Sequence, residues 1–366
     1  MRTRRTAYLT PAVLSGLLLA ACAPAGQVQD QSMVDPVGEA ARAVNVHWLT
    51  MLWVGTAVFL IVIALAGVAV ARRSRGNPEP DRALPEGDQR EDSPRPAAST
   101  PDVAPPGRRW TLFVAVGGGV VPALIILAIT AQSLFVARQV DPGAVDDDAT
   151  VVEVTGHQFW WEVRYPDSGV VTANEVHIPT GERVRLEITT GDVIHSLWVP
   201  QLSGKMDMIP GRANTMWLQT DEPGLYWGQC AEFCGVQHAQ MRLAVVAHEP
   251  AEFDGWLSAH TQPPEDPGSA AVDDDLVAQG REVFMSSSCV YCHAIAGTEA
   301  QGTFGPDLTH MASRETLAAG MLPNNRGNLA GWIVDPQAIK PGNLMPGTDL
   351  SGDELQALLV YLESLE

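Results

Sequence analysis

Two long apolar runs stand out in the N-terminal part of the chain. They cover residues 48–71 and 110–137, and neither contains a charged side chain. A helix rises about 1.5 Å per residue, so each run is long enough to cross a hydrocarbon layer of about 30 Å. We therefore predict two transmembrane helices over these residues, arranged as a hairpin.

The charges beside these runs predict their orientation. The connecting segment, residues 72–109, carries eight arginines, whereas the outer flanks offer little beyond Arg42 and Arg138. Arginine and lysine are enriched on the cytoplasmic side of membrane proteins. The connecting segment is therefore predicted to be a flexible cytoplasmic linker, with residues 22–47 and the chain after residue 137 on the outer side.

The N-terminus has the layout of an export signal. Residues 1–21 begin with Arg2, Arg4 and Arg5, continue into an apolar run and end in small residues. Cys22 follows Leu-Ala-Ala, which resembles a bacterial lipoprotein signal and implies a lipid on Cys22 after cleavage. An ordinary signal peptide cleaved nearby, with Cys22 incidental, is the alternative. Both forms predict a multi-pass protein of the bacterial cell (inner) membrane whose later domains face outward.

From residue 150 onward the pattern changes to short β-rich runs. Gly, Pro, Asn and Asp separate them, and the alternation over residues 184–188 fits a strand with one buried face. We therefore predict an antiparallel sandwich or barrel over residues 138–260. The predicted strands are residues 151–154, 159–165, 175–178, 184–189, 215–219 and 241–247.

A linker and a helical region follow the β-rich region. Residues 261–272 are predicted to form a linker, because residues 261–269 include three prolines together with polar residues and a glycine, and the signals over 273–366 are helical. Ser351 and Glu354 have the spacing of a capping box at the start of the last helix. Leucines follow at the spacing of one helix face, namely Leu355, Leu358, Leu359 and Leu362.

Composition and charge narrow the class of protein. The 366 residues are 46% hydrophobic and 18% charged, as expected for an average over membrane spans and water-soluble domains. The formal net charge of -20 argues against nucleic acid as a partner, because phosphate contacts need clustered basic side chains. A basic protein partner is favoured instead.

The five cysteines are one single residue and two close pairs. In the first pair, Cys230 and Cys234 share a loop with His238 and Met241, and soft thiolate, imidazole and thioether ligands favour copper. A second histidine is needed, and His195, just after a predicted strand, is the best candidate. Two cysteines suggest two metal ions bridged by both sulfurs. A disulfide and a Cys-Cys-His-His zinc site are the alternatives.

Four segments make the resemblance specific, namely residues 156–158 (Gly-His-Gln), 192–200, 205–212 and 230–241. Together with the two preceding spans, they resemble the CuA domain of cytochrome c oxidase subunit II. The resemblance implies a cupredoxin-like β-sandwich with a dinuclear copper (CuA) centre. One departure concerns electron transfer: the family usually has Trp directly after Gly-His-Gln, whereas this chain has Phe159 followed by Trp160 and Trp161.

The resemblance also implies a role for each residue of the copper loop. Cys230 and Cys234 would bridge the two coppers, and His195 and His238 would each bind one. Met241 and the backbone carbonyl of Glu232 would be the weak ligands. The Glu232 side chain would also help to bind a magnesium ion at the boundary with the catalytic subunit.

The second cysteine pair lies in Cys289-Val290-Tyr291-Cys292-His293, the c-type heme attachment signature. In this signature Cys289 and Cys292 bond the heme covalently, and His293 is an axial ligand of the iron. A redox disulfide is the alternative. For the second axial ligand we predict Met345, which precedes a proline, with Met311 and Met321 as alternatives.

Residues 273–366 as a whole resemble an all-α class I cytochrome c. The resemblance implies that Pro306 supports His293 and that Trp332 lies near the heme edge. His157, His177, His248 and His260 match no ligand pattern, and we predict ordinary polar or packing roles for them.

The combination resembles subunit II of caa-type cytochrome c oxidases. It implies a multidomain membrane subunit that accepts electrons from soluble cytochrome c or a similar donor at heme c and passes them to CuA. The catalytic subunit I, which has the oxygen-reducing site, would then reduce O2 to water with proton pumping. Other oxidase subunits and membrane lipid are the further expected partners. The alternative is the copper-bearing part of a nitrogen-oxide reductase, and the two helices before the sandwich favour the oxidase.

Overall fold

The computed structural model describes residues 31–75, 107–146, 148–264 and 274–366. The predicted signal peptide, Cys22 and most of both predicted linkers lie outside the described residues.

The predicted hairpin takes the form of two long apolar helices. The first, α1, spans Glu39–Arg75, and the second consists of α2 (Arg108–Ala115), a π-helical turn (Val116–Val120) and α3 (Val121–Gln139). Both are long and apolar enough to cross a membrane. The π turn contains three glycines, Gly117–Gly119, and is followed closely by Pro122, a residue that lacks the N–H for a regular helical hydrogen bond.

Helix α1 begins at Glu39, well before the predicted span, because its first turn packs on the β-rich region. Ala40 is buried together with Val145 and Trp217. The carboxylate of Glu39 accepts hydrogen bonds from the Arg183 guanidinium at 2.8 to 3.2 Å. This turn therefore anchors the membrane helix to the domain that follows it.

The β-rich region forms a sandwich of two five-stranded sheets. Its strands are β1 (Val151–His157), β2 (Trp160–Tyr165), β3 (Val170–Ala173), β4 (Glu175–Pro179), β5 (Val184–Thr190), β6 (His195–Trp198), β7 (Met206–Met208), β8 (Asn214–Leu218), β9 (Gly224–Cys230) and β10 (Arg242–His248). One sheet has the order β3-β2-β1-β5-β8 and the other β4-β10-β9-β6-β7. Apolar side chains from both sheets form one buried core, which α4 (Pro250–His260) extends through Phe253.

The sheets are mixed, which corrects the prediction of an antiparallel sandwich. β1 pairs with β5, and β4 with β10, in parallel. The chain crosses between the sheets after β3, β4, β5, β7 and β8, so the strands on either side of each crossing are not joined by hairpins.

The six predicted strands are present, and four others are missed. β3, β6 and β7 are too short for a clear pattern, and β9 contains glycines that usually weaken a strand. A Cβ at Gly228 would lie 2.8 Å from the Trp198 carbonyl oxygen, so close packing of β9 on β6 needs glycine. His195 follows β5, the strand predicted before it, and is itself the first residue of β6.

The C-terminal region is a helical domain with its own core. Its helices are α5 (Asp274–Ser286), α6 (Arg326–Val334), α7 (Pro336–Ile339) and α8 (Gly352–Glu363), and a short two-stranded ladder joins Thr316–Leu317 to Leu322–Pro323.

Helices α5 and α8 cross at very close range. A Cβ at Gly280 would lie 2.0 Å from the Ala357 carbonyl oxygen, so only glycine allows this approach. The predicted capping box is present at the start of α8, where Ser351 and Glu354 each accept a hydrogen bond from the backbone N–H of the other. Leu358, Leu359 and Leu362 then pack into the core.

Candidate copper and heme sites

The predicted copper ligands converge at one end of the sandwich. Strand β9 ends at Cys230, and the following loop returns to the same place before β10 begins. The Cys230 and Cys234 sulfurs lie 3.8 Å apart, and both cysteines are free. The Glu232 carbonyl oxygen lies 3.2 Å from Cys230 Sγ, His238 Nδ1 lies 3.8 Å from Cys234 Sγ, and Met241 Sδ lies 3.8 Å from Cys234 Sγ.

His195 reaches this cluster from β6 in the same sheet. Its Nδ1 atom lies 3.8 Å from Cys230 Sγ, and its Nε2 atom lies 2.8 Å from the Asp192 carboxylate. Asp192 in turn accepts a hydrogen bond from the Gln158 backbone N–H at 2.6 Å. Asp192 therefore fixes the ring orientation and directs Nδ1 toward the thiols. Asp192 lies within the matched segment 192–200, but the sequence pattern alone predicted no role for it.

The ring of His195 also explains a glycine in the Gly-His-Gln motif. A Cβ at Gly156 would lie 2.9 Å from the His195 ring. A larger residue there would displace the imidazole.

The charges at the two thiols are strongly unequal. The hydrogen bond between the two sulfurs holds the pKa of Cys230 well below its usual value, despite the opposing effect of burial, and His195 lowers it further. The same bond raises the pKa of Cys234. Burial lowers the pKa of His195, but its bonds to Cys230 and Asp192 outweigh burial and raise it. A metal that binds both sulfurs must therefore displace the proton retained at Cys234.

The donor set fits a copper pair better than the two alternatives. Within the described residues, His195, Cys230 and Cys234 are the group of three whose ligand atoms lie within 4.8 Å of one another. Met241 is fully buried, and its thioether faces the thiols. A four-ligand zinc site would leave this soft sulfur without a role, and two free cysteines do not form the alternative disulfide.

The predicted heme attachment residues line a cavity of about 310 Å³. Cys289, Cys292, His293 and Met345 all contribute to its walls, as does Trp332. The cavity is mostly apolar, as a porphyrin requires. The structure thus brings the predicted attachment and axial residues to one space.

A backbone carbonyl and a glycine fix the orientation of the His293 ring. Its Nδ1 atom donates a hydrogen bond to the Pro306 carbonyl oxygen at 2.7 Å, which leaves the Nε2 lone pair for an iron. A Cβ at Gly305 would lie 2.7 Å from the ring, so glycine is needed beside it. Burial lowers the pKa of His293 and favours the neutral imidazole that binds a metal.

Three methionines were candidates for the second axial ligand. Met345 and Met311 both line the cavity, whereas Met321 is not part of its wall. Met311 is buried in the core of the helical domain. Met345 lies on a loop, residues 340–346, that Gln337 holds through hydrogen bonds from its side-chain amide to the carbonyl oxygens of Asn343 and Met345 at 3.0 and 2.9 Å.

One wall of the heme cavity comes from the sandwich. Gln158, Phe159, Trp160 and Asn174 all line it, although they precede the attachment signature by more than a hundred positions. Among them, Phe159 is buried. Sequence reasoning missed this shared wall, because no local pattern reports a contact between two domains.

The four histidines for which polar or packing roles were predicted contact other side chains. His157 stacks on Trp160 at 4.5 Å between ring centroids. His177 stacks on Trp256 at 4.0 Å and lies 2.8 Å from His248, measured between ring nitrogens. The His260 ring lies 4.5 Å from that of Trp256 in a tilted arrangement, and its Nε2 atom lies 3.1 Å from Ser313 Oγ.

Family models match both water-soluble regions. Residues 168–248 match the model for the periplasmic domain of cytochrome c oxidase subunit II, and residues 277–366 match the model for cytochrome c.

Curated relatives cover about two thirds of the chain. Cytochrome c oxidase subunit 2 of Alkalihalophilus pseudofirmus is 44% identical over 247 residues, which are 66% of this chain and 70% of the relative. The subunit 2 proteins of Bacillus sp. strain PS3 and Bacillus subtilis are 34% and 33% identical, and the aligned residues are 72% and 75% of those relatives.

Among solved structures, the periplasmic domain of subunit II of cytochrome oxidase from Bradyrhizobium japonicum is 31% identical to this chain. The superposed residues are 32% of this chain and 96% of that domain, and the TM-score is 0.31.

Proposed function

This chain belongs to the cytochrome c oxidase subunit 2 family, and from that premise we propose that it receives the electrons for the oxidase, first at its cytochrome c domain and then at its copper domain. The family, the two apolar helices and the fused cytochrome c domain make it a membrane component of an oxidoreductase complex. The observation that carries the proposed order is the shared wall: Phe159 lines the heme cavity, and its neighbour Gln158 donates a side-chain hydrogen bond to the Cys234 carbonyl oxygen at 2.6 Å.

The residues that would hold the two cofactors are those predicted. A dinuclear copper centre would be held by His195, Cys230, Cys234, His238, Met241 and the Glu232 carbonyl, and heme c by Cys289, Cys292, His293 and Met345. Bound there, each cofactor supplies a centre that accepts and releases one electron at a time.

The protein contributes rigidity and exclusion of water. Cys230, Cys234, His195 and Met241 are all buried, so these four proposed ligands are shielded from solvent and fixed by the sandwich core. Asp192 fixes the His195 ring through its hydrogen bond to Nε2, the kind of contact that metal-bound histidines generally make. Small structural change on electron transfer is the expected benefit.

As a subunit of an oxidase complex, this chain is expected to contact other subunits, lipid and an electron donor. We propose that subunit I and other oxidase subunits pack on the hairpin and on the copper end, with lipid around α1 and α3. The Glu232 carboxylate is half-exposed, which leaves it accessible to the magnesium ion that we propose at that boundary. The net charge of -20 supports a basic soluble cytochrome c as the donor. Lipid attachment at Cys22 remains part of the proposal.

The function is tested on the purified membrane complex supplied with reduced soluble cytochrome c. We expect consumption of oxygen, together with acidification outside right-side-out vesicles if the complex pumps protons. Reduction of nitrous or nitric oxide without reduction of oxygen would contradict the proposal and support the nitrogen-oxide reductase. The matched relatives are oxidase subunits, so the comparisons favour the first outcome.

A further inference from the structure

Lys340 is a buried lysine at the contact between the two water-soluble domains. The chain has two lysines, and Lys340 is only 2% exposed. Its Nζ atom donates hydrogen bonds to the Phe159 carbonyl oxygen at 2.9 Å and to the Ala318 carbonyl oxygen at 3.1 Å. One acceptor belongs to the sandwich and the other to the cytochrome c domain. Burying an ammonium group is unfavourable unless such partners are present.

The acceptor in the sandwich is directly connected to the copper loop. The Phe159 ring packs against Gly235, where a Cβ would lie 2.9 Å from the ring. Gln158 holds the Cys234 carbonyl, as described above. Lys340 itself begins the loop that carries Met345. Its side chain therefore links the loop of the predicted axial ligand to the segment that supports the copper loop.

The acceptor in the cytochrome c domain is a strained turn. Ala318, Ala319 and Gly320 have φ between +55° and +75°, a region that side chains other than glycine adopt at an energetic penalty. The turn presents its carbonyls to its neighbours: Ala318 O accepts from Lys340, and Ala319 O accepts from the Arg242 backbone N–H at 3.1 Å. Strained turns of this kind persist where surrounding contacts hold them, so this turn provides independent support for a built interface.

Further contacts surround the lysine. Glu175, buried in the sandwich, accepts hydrogen bonds from the Thr316 backbone N–H at 3.0 Å and from its hydroxyl at 3.3 Å. On the other side, the Gln237 side chain donates to the Pro341 carbonyl oxygen. The hydrogen bonds of Lys340 are therefore part of a larger set of specific polar contacts between the two domains.

We infer that Lys340 is a positioning residue that clamps the cytochrome c domain on the sandwich in one orientation, so that the heme cavity faces the segment that supports the copper loop. This inference rests on the proposed function. A covalent tether alone would raise the effective concentration of one domain near the other without selecting an orientation. The clamp supplies the orientation, because it requires two carbonyls from different domains to meet one amine.

Lysine suits this role better than arginine. Its long stem reaches from the Met345 loop to a point between the two carbonyls, and its compact head group carries up to three donors. Burial lowers the pKa of Lys340 to about 7. A neutral amine still has two N–H donors, so both carbonyls keep a partner on either side of that pH.

The first test uses the unaltered oxidase and does not depend on turnover. A water-soluble acetylating reagent is added, and modification of Lys340 and Lys205 is followed by mass spectrometry. Lys205 is the internal control because its side chain is 48% exposed. We expect Lys340 to react at least about tenfold more slowly than Lys205. Equal reaction rates would overturn the inference.

The second test compares Lys340→Leu with Lys340→Arg in the same complex. Leucine removes the donors without adding a sulfur near the heme. An unpaired buried carbonyl is strongly disfavoured, so we expect hydrogen exchange at the interdomain amides of Arg242 and Thr316 to accelerate by about tenfold or more. The arginine variant, which retains donors, should lie closer to the wild type.

The third measurement separates positioning from general stability. After rapid photoreduction of the heme, electron transfer to the copper centre should slow by about tenfold in Lys340→Leu, while both cofactor spectra stay normal. Normal spectra with unchanged exchange and unchanged transfer would overturn the clamp but leave the proposed function intact. Failure of the wild-type chain to bind copper and heme would contradict the proposed function itself.

Discussion

The predicted copper ligands come from a single domain, whereas the cavity that the predicted heme residues line is shared by two. All predicted copper ligands lie on or next to β6, β9 and the loop after β9, and their donor atoms already converge to separations of 3.2 to 3.8 Å. The heme cavity takes its attachment residues from the helical domain and one wall from the sandwich. The copper site should therefore depend on local residues only, and the heme site should also depend on how the domains are docked.

We expect the largest effect from a substitution that removes a copper ligand and leaves the heme site unchanged. Cys230→Ser or Cys234→Ser should abolish the mixed-valence signal of the copper pair in electron spin resonance, because a hydroxyl cannot replace a bridging thiolate. Heme c should remain attached, since its bonds come from Cys289 and Cys292. As the reciprocal control, Cys289→Ser should keep the copper signal. A normal dinuclear signal in either copper-loop variant would contradict the assignment.

A smaller effect is expected on the heme side. Met345→Ala should leave heme covalently bound but lower its reduction potential by on the order of 0.1 V, because the thioether that favours ferrous iron is lost. A redox titration of the heme band measures this. Met321→Ala is the matched control, since Met321 is not part of the cavity wall. An unchanged potential in Met345→Ala would transfer the ligand role to Met311.

The next prediction concerns a residue that binds no metal itself. Asp192→Asn should weaken copper binding by about 10- to 100-fold, because the carboxylate that orients His195 and stabilises its charge is replaced by a neutral amide. Competition with a copper chelator measures the affinity. Asp167→Asn, an exposed change in the same domain, should have no effect. If both variants bound copper like the wild type, His195 would not need Asp192.

The parts of this molecule that were predictable from sequence are local. The Cys-x-x-Cys-His signature and the copper loop place their ligands within a few positions, so chemistry and spacing identify them together. The two apolar runs, the capping box and six of the strands can likewise be predicted from short-range sequence patterns. The first helix was predicted too short, because its opening turn is stabilised by a distant arginine, Arg183.

The parts that escaped prediction depend on distant neighbours. Lys340 and Phe159 are 181 positions apart, and no local pattern distinguishes a buried interdomain lysine from a solvated one. The parallel strand pairs also join segments that are far apart in the chain, which is why alternation alone suggested an antiparallel sandwich. Cys234 and Gln158 were each visible in a motif, but the hydrogen bond between them was not.

The smallest expected effect tests whether the two domains are separate units of stability. Asn325 caps α6 of the cytochrome c domain, where its side chain accepts a hydrogen bond from the Asn328 backbone N–H at 3.0 Å. Asn325→Ala should lower the free energy of unfolding of this domain by about 1 kcal/mol, the usual loss for a missing cap, and Asn325→Asp should retain it. Denaturant unfolding, followed at the heme band and separately at the copper band, reports each domain on its own. The two hydrophobic cores are distinct, so the copper transition should stay in place while the heme transition moves to lower denaturant. If both transitions moved together, the docked interface would couple the domains into one cooperative unit, and the contrast between a local copper site and a shared heme cavity would not extend to stability.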